Sequence, residues 1–112
     1  MKIYKIIIIC LLSLLLLAEN CSENNIIKGV TIVPNPANDH CDLVIVLTQD
    51  TELNIMIHNT LGDMVLEPAK SVSYTAGEVR IPIQTSALPS GTYMIMINNS
   101  KEMVSEKMLV VH

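Results

Sequence analysis

Residues 31–47, TIVPNPANDHCDLVIVL, place a rigid break between two apolar runs. The first run, Thr-Ile-Val, consists of β-branched residues, which favour extended strands. Pro34 and Pro36 then fix φ at about −65° at alternate positions and bias the residues before them toward extended backbone. After the break, Cys41 begins a run in which apolar residues alternate with period two. The segment predicts two strands joined by a stiff corner that carries the chain from one sheet to the opposite sheet.

Alternation with period two continues toward the end of the chain and predicts further strands. Apolar residues occupy one face of each of four runs: Cys41, Leu43, Ile45 and Leu47; Leu53, Ile55 and Ile57; Ile81 and Ile83; Tyr93, Ile95 and Ile97. The segments MVLE and KMLVV add two short strands, and turn-forming segments such as NTLGD and LPSG separate the runs. This spacing predicts an all-β fold, a small immunoglobulin-like β-sandwich of about seven strands.

Three local features refine this prediction. Pro82 interrupts VRIPIQ and cannot donate a ladder hydrogen bond, which predicts an edge strand or a bulge there. Gly62 and Gly91 lie in turn segments, where glycine can supply positive φ without a Cβ clash. Residues 67–76 show the weakest pattern, and we expect a loop.

The start of the chain has the pattern of an export signal. Two lysines within residues 1–5 precede an apolar run, residues 6–18, that is broken only by Ser13. The run is shorter than the roughly 20 residues of a transmembrane helix. A charged start followed by such a run is typical of a secretory signal peptide. We therefore assign residues 1–20 to a signal peptide, with its cleavage site left open.

The remainder divides into a short polar linker, residues 21–27, and a β-sandwich domain, residues 28–112. The segment LLAENC resembles a lipoprotein box, although polar residues stand where small ones are wanted. Lipidation of Cys21 and ordinary cleavage therefore both stay open. Cys21 and Cys41 could also form a disulfide bond after export to an oxidising compartment.

Charge and aromatic content exclude several classes of partner. The net charge is −4, and basic residues are scattered among carboxylates after the leader. The chain has no Trp and no Phe to stack on bases or sugars. We therefore expect no nucleic-acid partner, and no transmembrane segment in the mature chain.

The sequence predicts neither a catalytic centre nor a cofactor. His40 and Cys41 are adjacent, but neighbours in a strand point to opposite faces and cannot form a nucleophile–base pair. Cys41 is expected to be a small buried apolar residue, and His58 a solvated surface residue. Several oxygen donors are better explained as turn residues and solvated charge than as a calcium site: Asn38, Asp39, Asp42, Asp50 and Glu52. We therefore expect a protein that is not an enzyme and that binds no metal.

Four blocks of sequence, taken in order, resemble one known family. They are VPNPANDH, LNIMIHNTLGDMV, LPSGTYMIMI and EKMLVV. Together they resemble the C-terminal sorting domain of proteins exported by the type IX secretion system. The usual pattern in that family is a Pro-Asn-Pro corner, a strand ending in Asn-x-x-Gly, a Leu-Pro-x-Gly-x-Tyr strand start and a basic, β-branched last strand.

The resemblance implies a secretion-targeting module, read by an outer-membrane translocon after export to the periplasm and delivered to the cell surface or the extracellular space. The implied sorting residues fall in four groups: Pro34, Asn35 and Pro36; Asn59 and Gly62; Leu88, Pro89, Gly91 and Tyr93; Lys107, Met108, Leu109, Val110 and Val111. Family members usually carry a large passenger ahead of this domain. Here about ten polar residues lie between the leader and Gly29, too few to build a core. We therefore expect a truncated gene product, a stand-alone surface module or a decoy that keeps the fold.

The faces opposite the predicted core suggest an alternative function. They carry apolar residues where a free sandwich would be polar: Val44, Val46, Met56, Met94 and Met96. If their strands are neighbours, these residues form a methionine-rich patch of the kind that binds proteins. A covering segment or a different register would remove the patch. The alternative is therefore a surface adhesion or assembly module that binds a protein partner through this face or an edge strand.

Overall fold

A computed structural model describes residues 25–112 as seven strands without a helix. The strands are β1 (Ile27–Val33), β2 (His40–Leu47), β3 (Thr51–His58), β4 (Met64–Tyr74), β5 (Gly77–Gln84), β6 (Gly91–Asn98) and β7 (Met103–Val110). They form two antiparallel sheets, ordered β1-β2-β5 and β4-β3-β6-β7. This confirms the predicted all-β class. Cys21 and the predicted signal peptide lie outside the described residues, and none of the described residues forms a helix that could cross a membrane.

The two sheets enclose one apolar core. Alternate residues of a strand point to opposite faces, and the period-two residues of the sequence supply the inner faces. The fully buried members include Leu43, Ile45, Leu53, Ile55, Ile57, Ile95 and Ile97. Met108 and Val110 of β7 complete the core. Burying one such side chain stabilises the fold by about 1.5–3 kcal/mol, so the core fixes which face of each strand is turned inward.

The proline-rich corner does not carry the chain from one sheet to the other. β1 and β2 pair antiparallel within the three-stranded sheet, with Val33 opposite Asp42. The prediction that residues 34–39 lead into the opposite sheet is therefore wrong. β1 and β2 are hydrogen-bonded neighbours in one sheet, and their buried residues lie opposite each other. Both X-Pro peptide bonds of the corner are cis. The corner still touches the second sheet, since Ala37 forms an isolated parallel bridge with Val110.

The loop predicted at residues 67–76 is also wrong, because most of these residues belong to β4. Three register shifts interrupt the pairing of β4 with β3. Such β-bulges add unpaired residues and destroy the period-two pattern, which is why residues 67–74 show no strand signal. Ser71 has a left-handed φ of 51°, and its backbone N–H donates to Asn54 Oδ1 at 2.8 Å. Bulges on an edge strand also discourage pairing with another chain.

Other local predictions have mixed outcomes. Pro82 lies in β5, an edge strand of the three-stranded sheet, as predicted. Gly62 has the predicted positive φ, 86°. Gly91 does not use this freedom, because it is already the first residue of β6. Cys41 is buried and His40 is exposed, which confirms that their side chains diverge.

Candidate functional site

The terminal strand β7 forms one edge of the four-stranded sheet. It pairs with β6 along its whole length, from Met103 opposite Asn98 to Val110 opposite Gly91. In an antiparallel pair, the backbone groups of alternate residues face the partner strand or face away from it. The carbonyl oxygen of Lys107 and both backbone groups of Leu109 are bonded by a segment other than β6. They therefore belong to the outer edge of the sheet.

The side chain of Asn35 covers part of this outer edge. Its Nδ2 donates to the carbonyl oxygen of Lys107 at 3.1 Å, and its Oδ1 accepts from the N–H of Leu109 at 3.0 Å. One side-chain amide thus supplies the donor and the acceptor that a neighbouring strand would supply. Pro34 and Pro36 on either side restrict the backbone of the corner. The Pro-Asn-Pro block is therefore a device that places one amide against the terminal strand.

Ala37 continues the cover by two further hydrogen bonds. Its N–H donates to the carbonyl oxygen of Leu109 at 2.7 Å, and its carbonyl oxygen accepts from the N–H of Val111 at 2.8 Å. Its small side chain is buried, with 1% of its surface exposed. We call residues 35–37 and the four hydrogen bonds that they make to the terminal strand the strand clamp.

Thr85, which follows β5, anchors the segment after the clamp. The residue is fully buried. Its N–H donates to the carbonyl oxygen of Asp39 at 2.9 Å, and its Oγ1 donates to the carbonyl oxygen of Asn38 at 2.8 Å. A buried hydroxyl without a partner would cost about 1–3 kcal/mol. These bonds therefore fix the corner relative to the three-stranded sheet.

His112 joins three segments at the end of the terminal strand. Its ring Nδ1 lies 2.9 Å from Asn38 Oδ1, and its Nε2 lies 2.8 Å from the carbonyl oxygen of Leu88. Its backbone N–H donates to Ser90 Oγ at 3.0 Å. The residue thus fastens the terminal strand to the corner and to the LPSG segment.

The Leu-Pro-x-Gly-x-Tyr block forms a turn that begins β6. The hydroxyl of Tyr93 donates to the carbonyl oxygen of Pro89 at 2.6 Å. The N–H of Leu88 donates to the carbonyl oxygen of Thr85 at 3.0 Å, and the Leu88 side chain is buried. A buried tyrosine that bonds the backbone a few residues upstream is similar to the tyrosine corner of β-sandwiches. The block therefore shapes the turn that receives His112.

The Asn-x-x-Gly block forms the turn between β3 and β4. Asn59 Oδ1 accepts from the N–H groups of Leu61 and Asp63, each at 3.0 Å. The N–H of Asn59 donates to the carbonyl oxygen of Asp63 at 3.0 Å, which closes the turn. Gly62 supplies the positive φ that this turn requires.

The antiparallel registers place the turns of three sequence blocks, and the last residue of the fourth block, at one end of the molecule. They set His40 opposite Gln84, and Gly91 opposite Val110. The β3–β4 turn lies at the same end, because it follows His58, and His58 is opposite Met94 near the start of β6. We call this end the motif end; it consists of residues 34–39, 59–63, 85–90 and 111–112.

A family model described as the secretion system C-terminal sorting domain matches residues 31–111. The matched span begins in the strand before the corner and ends in the clamped terminal segment. The chain belongs to this type IX secretion family. No curated protein matches the chain. The predicted family is thereby confirmed, and membership supports a role in secretion targeting.

The sorting domain brings most of its predicted sorting residues together. Met108 and Val110 point into the core, whereas Lys107 and Val111 are exposed and Leu109 is half-buried. The turn at residues 59–63 lies at the motif end but makes no hydrogen bond to the strand clamp within the described part of the chain. That these residues act in sorting stays a prediction.

The apolar patch predicted on the outer faces divides into two parts. Val44 and Val46 lie in β2, in the three-stranded sheet, whereas Met56, Met94 and Met96 lie in β3 and β6 of the other sheet. The two groups of strands are not neighbours, so a single patch of all five does not form. The methionine part does form, because β3 and β6 pair directly.

Sequence reasoning missed residues that join distant segments. Ala37, Thr85 and His112 carry no chemical motif, and their partners lie far away in the sequence, 74 residues for His112 and Asn38. Glu102 was missed for the same reason. Its carboxylate accepts from the N–H of Ile26 at 2.6 Å and from that of Ile27 at 2.9 Å. The only signal available was that Ala37 lies within the PNPAND block.

Proposed function

We propose that the sorting domain presents its terminal strand to an outer-membrane translocon, which reads residues 107–111 as an export address. The domain performs no chemical step in this proposal and acts by recognition alone. Residues 1–20 first deliver the chain to the periplasm as a signal peptide, and the translocon then passes it to the cell surface. The immunoglobulin-like arrangement that the resemblance implies belongs to this proposal as the rigid support of the strand.

The observation that carries the proposal is the strand clamp. One edge of the terminal strand is held by β6, and the other is closed by a short corner instead of a full strand. Each hydrogen bond contributes roughly 0.5–1.5 kcal/mol, so the four bonds together contribute about 2–6 kcal/mol. A partner strand that replaced the corner would restore the same bonds, because extended peptides add to open sheet edges through backbone hydrogen bonds.

The outward side chains of the terminal strand supply the specificity of this recognition. Lys107, Leu109 and Val111 alternate along the backbone and therefore share one face. They present one cation and two apolar groups next to the clamp. Met108 and Val110 point inward and hold the strand against the core. In this proposal they keep the strand in position but make no contact with the translocon.

A reporter fusion tests the proposal. Residues 22–112 are attached to the C-terminal end of a periplasmic reporter in a host that has a type IX secretion system. We expect the reporter at the cell surface or in the medium. The paired variant Lys107→Gln with Val111→Ser should leave the reporter in the periplasm, because it removes the cation and one apolar group without touching the core.

The matched control is Lys101→Gln with Met103→Ser. It makes the same two kinds of change at exposed positions at the other end of the β6–β7 hairpin. The control should be exported like the unmodified fusion. An unmodified fusion that stays in the periplasm, or equal export of both paired variants, would contradict the proposal.

The alternative function, a surface module that binds a protein partner, makes a different prediction. Binding would depend on the outer sheet faces or an edge strand and would not respond to Lys107→Gln with Val111→Ser. Pull-down of a partner that persists in this variant would support the alternative.

A further inference from the structure

Most methionines of the sorting domain lie on one outer sheet face. The chain has seven methionines. Met56, Met94 and Met96 alternate with buried isoleucines in β3 and β6 and therefore point outward. Met64 and Met103 lie in the flanking strands β4 and β7, with 50% and 61% of their surfaces exposed.

The strand registers gather four of these methionines around one histidine. His58 of β3 is opposite Met64 on one side and opposite Met94 on the other. In the next row of the sheet, Met56 is opposite Met96. Side chains directly opposite each other have Cβ atoms about 4.5–5.5 Å apart, and long side chains also reach diagonal neighbours. We call these five residues the thioether cluster.

His58 in this cluster has an unpartnered nitrogen. The residue points away from the core, as predicted, but it is half-buried and not fully solvated. Its Nδ1 is buried and has no hydrogen-bond partner among the described residues. Buried polar groups normally have hydrogen-bond partners. A buried polar group without a partner has lost its hydrogen bonds to water and gains no protein hydrogen bond to compensate. The registers place methionine side chains on both sides of this residue, and an imidazole nitrogen together with thioether sulfurs can bind a metal ion.

The donor set selects the kind of ion. Thioether sulfur is a soft ligand that favours Cu(I), and imidazole also binds copper. Calcium and magnesium require oxygen ligands, and none of the five residues supplies one. Lys107 is opposite Met94 in register, and its positive charge disfavours a divalent ion more than a monovalent one. A carboxylate, that of Glu67, lies nearby in the bulge of β4 across from Met56, but this residue is exposed to solvent and does not belong to the cluster.

We propose that the thioether cluster is a Cu(I) site, with His58 and methionine sulfurs as ligands. Among residues 25–112, no group of three His, Cys, Asp or Glu side chains is placed to hold a metal ion, so the cluster differs in kind from a conventional site. The proposal is independent of sorting, because the ligands lie on the sheet face and not in the strand clamp.

Anaerobic titration with Cu(I) against a chromophoric Cu(I) chelator tests the proposal. The full chain carries Cys10→Ser and Cys21→Ser, since thiols would compete for the ion. We expect one equivalent to bind. Met94→Leu and His58→Gln should each weaken binding by about tenfold or more, because loss of even an outer-shell partner of a metal ligand costs 10–100-fold.

Met103→Leu is the matched control. It makes the same substitution on the same sheet face, but Met103 is opposite Asn98 and outside the cluster. Leucine and methionine have similar volumes and exchange at little cost, so both methionine variants should keep the fold. The control should bind Cu(I) as tightly as the unsubstituted site.

Methionine methyl resonances provide a readout that needs no cluster variant. Adding Cu(I), or Ag(I) as a redox-inert substitute, should shift the methyl signals of the cluster methionines and leave those of Met103 and Met108 in place. No competition with the chelator, equal loss of affinity in Met103→Leu and Met94→Leu, or tighter binding of Zn(II) would overturn the proposal.

Discussion

Asn35 carries more of the strand clamp than any other side chain, because it makes two of the four hydrogen bonds to the terminal strand. An amide is needed there. Asp could accept from Leu109 but has no N–H for the carbonyl oxygen of Lys107, and Ala offers neither group. This explains in physical terms why an asparagine stands between the two prolines.

The substitution Asn35→Ala should lower the free energy of unfolding by about 1–2 kcal/mol, since two solvent-accessible hydrogen bonds are lost. Urea unfolding measures the change. Asn98→Ala is the control, because the Asn98 side chain makes no hydrogen bond within the described part of the chain. The control should stay within about 0.5 kcal/mol of the unmodified domain. Equal stability of Asn35→Ala and the unmodified domain would contradict the clamp.

The buried thiol of Cys41 should make the stability of the domain depend on pH. Burial raises the pKa of the Cys41 thiol above its ordinary value of 9.0, and the carboxylate of Asp42 raises it further. A folded-state pKa above the unfolded-state pKa stabilises the fold below the unfolded value, and this stabilisation is lost as the pH rises through the folded value. Stability should therefore fall in the alkaline range above pH 9.

Urea midpoints measured from pH 7 upward check this prediction in a chain carrying Cys10→Ser and Cys21→Ser. Adding Cys41→Ala should remove part of the alkaline loss of stability. The native thiol should also resist alkylation until the domain unfolds. Rapid alkylation of the folded domain at neutral pH would show that Cys41 is not buried.

Among the strands, β1 depends on the hairpin of β6 and β7 for its first hydrogen bonds. The carboxylate of Glu102 accepts from the N–H groups of Ile26 and Ile27. Asn99 Oδ1 holds Glu102 in place by accepting from its N–H at 2.7 Å. The hairpin turn therefore joins the start of the described chain to the terminal strand at the end opposite the motif end.

Glu102→Ala should lower the free energy of unfolding by about 2–3 kcal/mol, because hydrogen bonds to a charged acceptor contribute more than neutral ones. Glu102→Gln keeps one side-chain oxygen and should cost less. Amide exchange at Ile26 and Ile27 should become faster in both variants. Unchanged exchange at these two amides would show that the carboxylate does not hold the start of β1.

Strands with clean alternation were predictable, whereas β4 was not. In β3 and β6 the buried residues alternate strictly and are large and apolar, so the inward face can be assigned from the sequence: Leu53, Ile55 and Ile57; Tyr93, Ile95 and Ile97. In β4 the bulges shift the inward face several times, and no single period remains. The register between strands was equally hidden, so the split of the apolar patch and the thioether cluster emerged only from the structure.

The whole molecule separates the turns that carry its family motifs from its remaining turns. Antiparallel pairing gathers the turns of three sequence blocks and the end of the fourth at the motif end, although they lie tens of residues apart in the chain. The sequence predicted these blocks as family motifs, but not that the corner and the LPSG segment both contact the terminal segment. That contact depends on Ala37, Thr85 and His112, whose roles come from their positions in the fold and not from their side-chain types.

Amide hydrogen exchange of the unmodified domain tests the strand clamp most directly. The N–H groups of Leu109 and Val111 face the outer edge and donate to the clamp, so they should be protected. By the alternation of the ladder, the N–H groups of Met103 and Ser105 face the same edge beyond the clamp and should exchange quickly. Protection of Leu109 and Val111 with fast exchange at Met103 and Ser105 is the predicted result; equally fast exchange at all four amides would contradict it.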